Sequence, residues 1–478
     1  MHICKPLLVS LGLSTALVAP AMAQDATAKN VILLITDGAG IETWRAASYY
    51  RFGGLGHEVY DDFDVQVFAS THPLTTERQP TMTDEGAVTF DPAELWNAEA
   101  DSSVYEGNIA DYPAYFAGYA YSRADYTDSA AAGTALASGH KTYNSALNWS
   151  NNDTRMKHIG EYAVESGRAL GSISSVEWTH ATPAAFLAHN RSRNNYEEIA
   201  QEITDGGLAT VVMGTGHPYF NGNGERVEAP SDKDFRYVGG RDTWNRLVSG
   251  ETAYKHIETR ADFEALANGT LDMGGKDRLI GTAQNVKTLQ FNRDGVAMGD
   301  LLENVPDLPT MTKGALNVLS QDEDGFFLMI EGGAVDWAAH ANNLPRIIEE
   351  QIDFNKSVEA VVDWVEANSS WDETLVMVTT DHGNGLLEGP DSDKVAYSPV
   401  INQGAGALPL VRWHDDTHTR ELVPVYAMGA GAEYLLDVAK PAPGLATYGV
   451  SEDSRVYVDN TDVFGAALHA FGLTEALD

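Results

Sequence analysis

Residues 29–39 read KNVILLITDGA. Five consecutive large apolar side chains, Val31 to Ile35, show no polar alternation. A strand with one wet face alternates, so this run predicts a strand buried on both faces, as in the middle of a parallel sheet. It stops at Thr36-Asp37-Gly38, which puts Asp37 at the strand's carboxyl end. A helix is expected next, over residues 41–50. The same order recurs along the chain. Helix 156–166 leads to strand 169–176, and helix 196–204 to strand 208–213. Strands at 278–282, 325–330 and 374–380 have helices 310–320 and 345–367 between them. Strand 422–428 and helix 463–471 close the pattern. Repeated βα units predict an α/β fold: a doubly wound, mainly parallel central sheet with helices on both faces. Residues 52–124 interrupt it; rich in Gly, Tyr, Asp and Pro and without sustained period, they read as a long insertion loop. The turn GTGHPYFNGNG at 214–224 lacks a G-x-G-x-x-G context and is a weak nucleotide signature.

Residues 1–23 read as a leader segment. Lys5 is its charge, residues 7–18 its apolar core, and Ala21-Met22-Ala23 its cleavage site. The expectation is a signal peptide, a periplasmic or secreted protein, and one domain over 24–478. Cys4, the one cysteine in the sequence, falls inside that leader. Disulfides are thereby excluded from the processed chain, and nitrogen and oxygen must serve as metal ligands. The net charge is −38, from 31 Lys+Arg against 69 Asp+Glu. That balance argues against nucleic acid and anionic membrane as partners. No stretch after the leader is long and apolar enough to span a bilayer. An acidic surface of this kind suits salty surroundings.

Ligands in a doubly wound sheet gather outside the carboxyl ends of the strands. Asp37, Glu331 (after FFLMI) and the pair Asp381-His382 (after TLVMVTT) all fall at such ends. Any one of them could be a helix cap; together they describe one edge of one sheet. In EGGAVDWAAH, Asp336 and His340 are four apart and share a helix face. His418, in DDTHTRELVPVYAMG, precedes another strand. One Asp and two His make a zinc set with an open position. Thr182 of HATPA, with Asp37 and Glu331, makes an oxygen-rich set that favours magnesium. Arg191 and Arg193 follow, and either guanidinium can hold two phosphate oxygens. Residues 126–144, YTDSAAAGTALASGHKTYN, carry the helix starters Thr127, Asp128 and Ser129 ahead of strong helix formers. The Ser129 hydroxyl then lies in a first helical turn, where N–H groups converge on an anion. It becomes a nucleophile only if a base or metal lowers its pKa.

From about residue 30 to residue 470, these segments in this order resemble the alkaline phosphatases: ITDG, TDSAAAGTA, HATPA with its downstream arginine, EGGAVDWAAH, TTDHGNG and THTRE. The resemblance implies a serine nucleophile between two zinc ions, with one magnesium nearby. The first zinc would take Asp336, His340 and His418; the second Asp37, Asp381 and His382, with Ser129; magnesium would take Asp37, Thr182 and Glu331. It also implies Arg193 rather than Arg191 as the phosphate clamp, eleven residues after Thr182. The activity implied is hydrolysis of phosphate monoesters through a phosphoserine, with inorganic phosphate as product and a homodimer as assembly. The chain departs from the enteric-bacterial pattern at His180 and Trp337, which stand for Asp and Lys and are similar to the marine bacterial forms. These two are expected behind the phosphate rather than as ligands. Arg420 replaces a common glycine, and residues 383–417 are short for a crown-type loop. Two other readings remain. A superfamily phosphodiesterase or sulfatase usually lacks the Glu331/Thr182 pair. A non-catalytic phosphate- or metal-binding protein has no use for an intact nucleophile.

Overall fold

The computed structural model describes residues 28–95, 104–105, 115–393, 395 and 397–473. Among these residues the centre is an eleven-stranded sheet. In chain order the strands are β1 (Asn30–Thr36), β2 (Val65–Ser70), β3 (Ala169–Glu177), β4 (Val211–Thr215), β5 (Tyr254–Ile257), β6 (Arg278–Thr282), β7 (Phe326–Gly332), β8 (Thr374–Thr379), β9 (Val423–Gly429), β10 (Lys440–Pro441) and β11 (Val456–Asp459). They lie side by side as β10-β11-β2-β9-β8-β1-β7-β3-β4-β6-β5. From β8 to β5 every neighbouring pair is parallel. Only β9 runs against both its neighbours, β8 and β2, and the short β10 pairs antiparallel with β11.

β1 is central because its side chains feed two cores. Val31, Leu33 and Ile35 join one apolar cluster, and Ile32 and Leu34 join the other. Side chains alternate across a strand, so a run without polar residues needs cover on both faces. The first face is covered by α2 (Ser129–Ser138), α3 (Ile159–Glu165), α4 (Ala181–Ala185), α5 (Tyr196–Gly206) and α9 (Thr461–Ala470). The second is covered by α1 (Ile41–Phe52), α6 (Leu308–Leu319), α7 (Ala334–His340) and α8 (Leu344–Asn368). The sheet is therefore doubly wound and mainly parallel, as the βα alternation predicts.

The reading of 52–124 as irregular needs correction. Within it, β2 (VQVFAS) is a strand of the central sheet, pairing Val67 with Val425 of β9 and Phe68 with Tyr457 of β11. Residues 96–103 and 106–114 of that stretch, like the leader, lie outside the described residues. Strands β5 and β11, four residues each, carry no long apolar run that would mark them in the sequence. In 383–417, two-residue strands pair Gly383–Asn384 with His418–Thr419 and Leu387–Glu388 with Arg412–Trp413. The first pairing swings His418 over the end of β8. Among the described residues no helix is long and apolar enough to cross a membrane.

Candidate active site

Four adjacent parallel strands, β8, β1, β7 and β3, deliver the acidic groups. Ile35 pairs with Thr379 on one side and Glu331 on the other, so the strands end nearly flush. Asp37, Asp381, His382, Glu331 and Thr182, the last on α4 just after β3, are all fully buried there. α7 starts directly after β7 and brings Asp336 and His340 to the same edge. Gly38 turns the chain away from β1 with φ +72, and a Cβ at that position would sit 2.7 Å from Asp336 Oδ1. Only glycine combines that backbone with that approach.

The histidines are oriented by carbonyls. His418 Nδ1–H donates to Thr127 O at 2.8 Å, and His340 Nδ1–H donates to Asp416 O at 2.5 Å. Each Nε2 is left facing inward, 3.2 Å from the other, and 3.5 Å and 3.4 Å from Asp336 Oδ1 and Oδ2 respectively. His382 Nδ1–H donates to Gly383 O at 3.2 Å. Its Nε2 lies 3.4 Å from Asp37 Oδ1, 3.2 Å from Asp381 Oδ2 and 3.2 Å from Ser129 Oγ. Carbonyl partners on the outer nitrogen fix the tautomer and leave lone pairs aimed at a common space, as in metal-ligating histidines.

Ser129 occupies the first turn of α2. Asp128 caps that helix, its Oδ1 accepting from the N–H groups of Ala131 and Ser145 at 3.0 and 2.9 Å. α2 packs close to α4 because Gly133 leaves room; a Cβ there would be 3.0 Å from Ala185 Cβ. The two arginines part company. Arg193 donates to Asp128 Oδ2 and to His180 Nε2, both at 3.1 Å, and faces the cleft. Arg191 turns outward, is 56% exposed and is held by both oxygens of Asp153. Ser129, His180, Arg193, Phe291, Asp336, Trp337, His340, Ala341 and His418 line an open cleft of about 510 Å³. His180 and Trp337 meet edge to face, with centroids 5.8 Å apart. Arg193→Ala is expected to weaken competitive inhibition by inorganic phosphate roughly tenfold or more, the loss of about one charge-assisted hydrogen bond or two. Arg191→Ala should leave it unchanged. An inverted order would assign the clamp to Arg191.

Burial followed by the charges of Asp381, Asp336 and Glu331 drives the Asp37 carboxyl well above its ordinary range. Glu331 is pushed up to about 8, chiefly by burial and against the hydrogen bond from Ser174, and Asp381 to about 6 by burial and Asp336. Burial also favours protonation of Asp336, but His340, His418 and His382 outweigh it and hold that carboxyl well below its usual value. Burial lowers His382 to about 4 and His418 to about 3. Among the described residues, both oxygens of Asp37, Glu331 Oε1, Asp381 Oδ2 and Thr182 Oγ1 are buried without a hydrogen-bond partner. Unpaired buried oxygens at this density are costly unless a cation collects them. The donor sets fit that: Asp37, Asp381 and His382 converge, as do Asp336, His382 and His418, and Asp37, Glu331 and His180. His180, expected behind the phosphate, thus also stands among the ligating atoms of the third cluster.

Several contributors escaped the sequence reading. Asn384 Nδ2–H donates to Asp336 Oδ1 at 2.6 Å; its place in TTDHGNG was a usable signal. Asp128, read only as a helix starter, also holds Arg193. Phe291 lines the cleft, and Lys287, paired with Glu177 at 3.0 Å, reaches over the Trp337 ring; nothing in the sequence marks either. Arg420 has a structural job. It donates to Tyr121 O at 2.7 Å and stacks 3.5 Å over the Tyr121 ring, tying the segment before α2 to the loop of His418.

The family model for alkaline phosphatase matches residues 111–404. The chain is similar to alkaline phosphatase 4 of Bacillus subtilis (strain 168), 35% identical over 264 residues that cover 54% of this chain and 50% of that protein. It is similar to the alkaline phosphatase of Escherichia coli (strain K12), 27% identical over 433 residues covering 85% and 82%. The chain spans about half the length of the Bacillus relatives it matches. Among solved structures, the alkaline phosphatase from the Antarctic bacterium TAB5 shares the fold with a TM-score of 0.59 at 21% identity, over 94% of this chain and 99% of that one. The Thermus thermophilus alkaline phosphatase does so with a TM-score of 0.62 at 19% identity, over 96% of each chain.

Proposed function

The chain belongs to the alkaline phosphatase family, and from that premise we propose that it hydrolyses phosphate monoesters by double displacement at Ser129. The observation that carries this reading is the placement of the Ser129 hydroxyl. It lies in a first helical turn at the floor of the cleft, beside His382 and near Arg193, Asp336 and His418. Three cation sites belong to the proposal. Asp336, His340 and His418 would hold one zinc; Asp37, Asp381 and His382, with Ser129, the second; Asp37, Thr182 and Glu331 a magnesium, with His180 adjacent. Bound there, the cations supply Lewis acidity that lowers the serine pKa and offsets phosphate charge.

The chain's own groups do the remaining work. The Ser129 oxygen attacks phosphorus and the ester oxygen leaves as the alcohol, giving a phosphoserine. Water then attacks that phosphoserine, returning the serine and releasing inorganic phosphate. Arg193, held in place by Asp128, donates two N–H groups to the equatorial phosphate oxygens, balancing their charge and holding the group in line for each displacement. Export, a homodimer and salt adaptation of the acidic surface complete the proposal. They rest on the leader-like residues 1–23, the family resemblance and the net charge.

A substrate panel tests the reaction class. p-Nitrophenyl phosphate should be turned over at least on the order of 100-fold faster than its diester or its sulfate, because the monoester brings a dianion to Arg193 and the cations whereas the other two are monoanions. A diester or sulfate turned over faster would move the protein to the superfamily alternatives.

A further inference from the structure

None of the residues that line the cleft belongs to a second cluster of ligating side chains, His158, Glu161 and His189. His158 immediately precedes α3, Glu161 lies on it, and His189 follows α4. Their ligating atoms all lie within 4.8 Å of one another. His189 Nε2 is 3.3 Å from Glu161 Oε2, His158 Nε2 is 3.8 Å from the same oxygen, and the two rings are 5.1 Å apart. Tetrahedral bonds of about 2.0–2.1 Å put ligand atoms roughly 3.3–3.4 Å apart; the His189–Glu161 separation matches that value, and His158 reaches it by closing on Glu161 by roughly half an ångström.

Two further observations point to a ligand. His158 is 0% exposed, and among the described residues neither of its ring nitrogens has a hydrogen-bond partner. An imidazole always carries at least one polar N–H or a proton-seeking lone pair, and here both sides of the ring go unanswered. His189 has the opposite arrangement. Its Nδ1 lies 2.9 Å from Glu202 Oε1 on α5, which makes Nδ1 the donor and turns Nε2 toward the cluster. A carboxylate behind the outer nitrogen is the arrangement that raises the basicity of a metal-ligating histidine. Met156 O lies 3.0 Å from the same Nε2 and offers one more oxygen. Glu161 and Glu202 are part-exposed, which leaves a path from solvent.

We propose that His158, Glu161 and His189 form a structural site for a divalent transition-metal cation of the zinc type. Two imidazoles and a carboxylate suit zinc and its neighbours, whereas magnesium and calcium prefer all-oxygen sets. The ion would balance the charges of Glu161 and Glu202 and fasten α3 to the segment between Thr182 and Arg193, both of which serve the cleft. The competing state is a proton: without a cation, His189 carries it at Nε2 and donates to Met156 O. Burial alone would lower the His189 pKa, but Glu161 and Glu202 raise it to about 9.

Crystals of the full chain grown with zinc and measured on both sides of the zinc edge test the site directly. An anomalous peak among His158, Glu161 and His189 is expected. Glu161→Gln serves as the solution variant because glutamine can still accept from the His158 backbone N–H, as Glu161 does at 3.0 Å. Dialysed against the same free zinc, Glu161→Gln should retain one zinc per chain less than wild type. It should also gain less Tm from added zinc than wild type does, and keep the wild-type rate on p-nitrophenyl phosphate. Absence of the peak, or equal zinc content in the two proteins, overturns the site and leaves a proton-bridged cluster around His189.

Discussion

Ser129→Ala is expected to lower turnover of p-nitrophenyl phosphate by roughly 10³-fold or more while leaving the fold and metal content close to wild type. The two halves of that expectation have separate grounds. Alanine is the best helix former, and residues 130–132 are already alanines, so α2 tolerates the change. The hydroxyl contacts His382 Nε2 at 3.2 Å, a nitrogen that Asp37 and Asp381 also surround. What disappears is the oxygen that accepts the phosphoryl group. Some rate should remain, since Arg193 still holds the ester and cations bound at the remaining ligands would still polarise it. Metal analysis, circular dichroism and steady-state kinetics on the same preparation check all three points. Turnover near the wild-type value would remove the covalent step from the account.

Stripping the metals is expected to abolish activity and lower the Tm by several degrees, with zinc restoring chemistry and magnesium raising the rate further. Each ion bound only by the folded chain stabilises it by about 2.7 kcal/mol at a hundredfold excess over its Kd. The apo protein has the opposite problem: Asp37, Glu331 and Asp381 are buried together and push one another's protons on. The sign follows from linkage. Glu331 keeps a proton in the folded state up to about pH 8, against an ordinary value of 4.5 in the unfolded chain, and Asp381 up to about 6 against 3.8. Over those windows these two carboxyls bind more protons in the folded state. His382 and His418, lowered to about 4 and about 3, bind fewer protons folded than unfolded and oppose this below about pH 6.5, so apo stability falls chiefly as pH rises from about 6.5 to 8. Bound cations take the protons' place and should flatten that slope. Calorimetry of stripped and reconstituted samples across this pH range, with elemental analysis, decides it. Full activity in a stripped sample would contradict the cation sites.

The central sheet was legible where burial is two-sided. β1, β7 and β8 are short, unbroken apolar runs followed closely by acid or histidine, whereas a strand with one wet face would carry polar residues at every second position. β2 was not legible. Its six residues sit in Asp- and Gly-rich surroundings, and its partner β9 is more than 350 positions away, so its pairing is a tertiary fact. The short β5 and β11 lack a long apolar run for a similar reason: β5 lies at the edge of the sheet and β11 one strand in from the other edge. At the site, strand-end position picked out Asp37, Glu331, Asp381 and His382 one by one, because each motif carries its own local geometry. The choice between Arg191 and Arg193 had to come from the family resemblance. Charge and spacing are alike for both; what separates them is Asp153 facing one and Asp128 the other. Phe291 reaches the cleft, and Lys287 the Trp337 ring that borders it, only through tertiary packing of the segment after β6.

The most direct measurement is the intact mass of the full-length protein, with its metals, mixed with inorganic phosphate or a monoester and quenched in acid, followed by mapping of the modified peptide. The account predicts a single added phosphoryl group on the peptide containing Ser129, and none in Ser129→Ala. Turnover with no adduct, or an adduct on any other residue, would contradict the assignment of Ser129 as nucleophile.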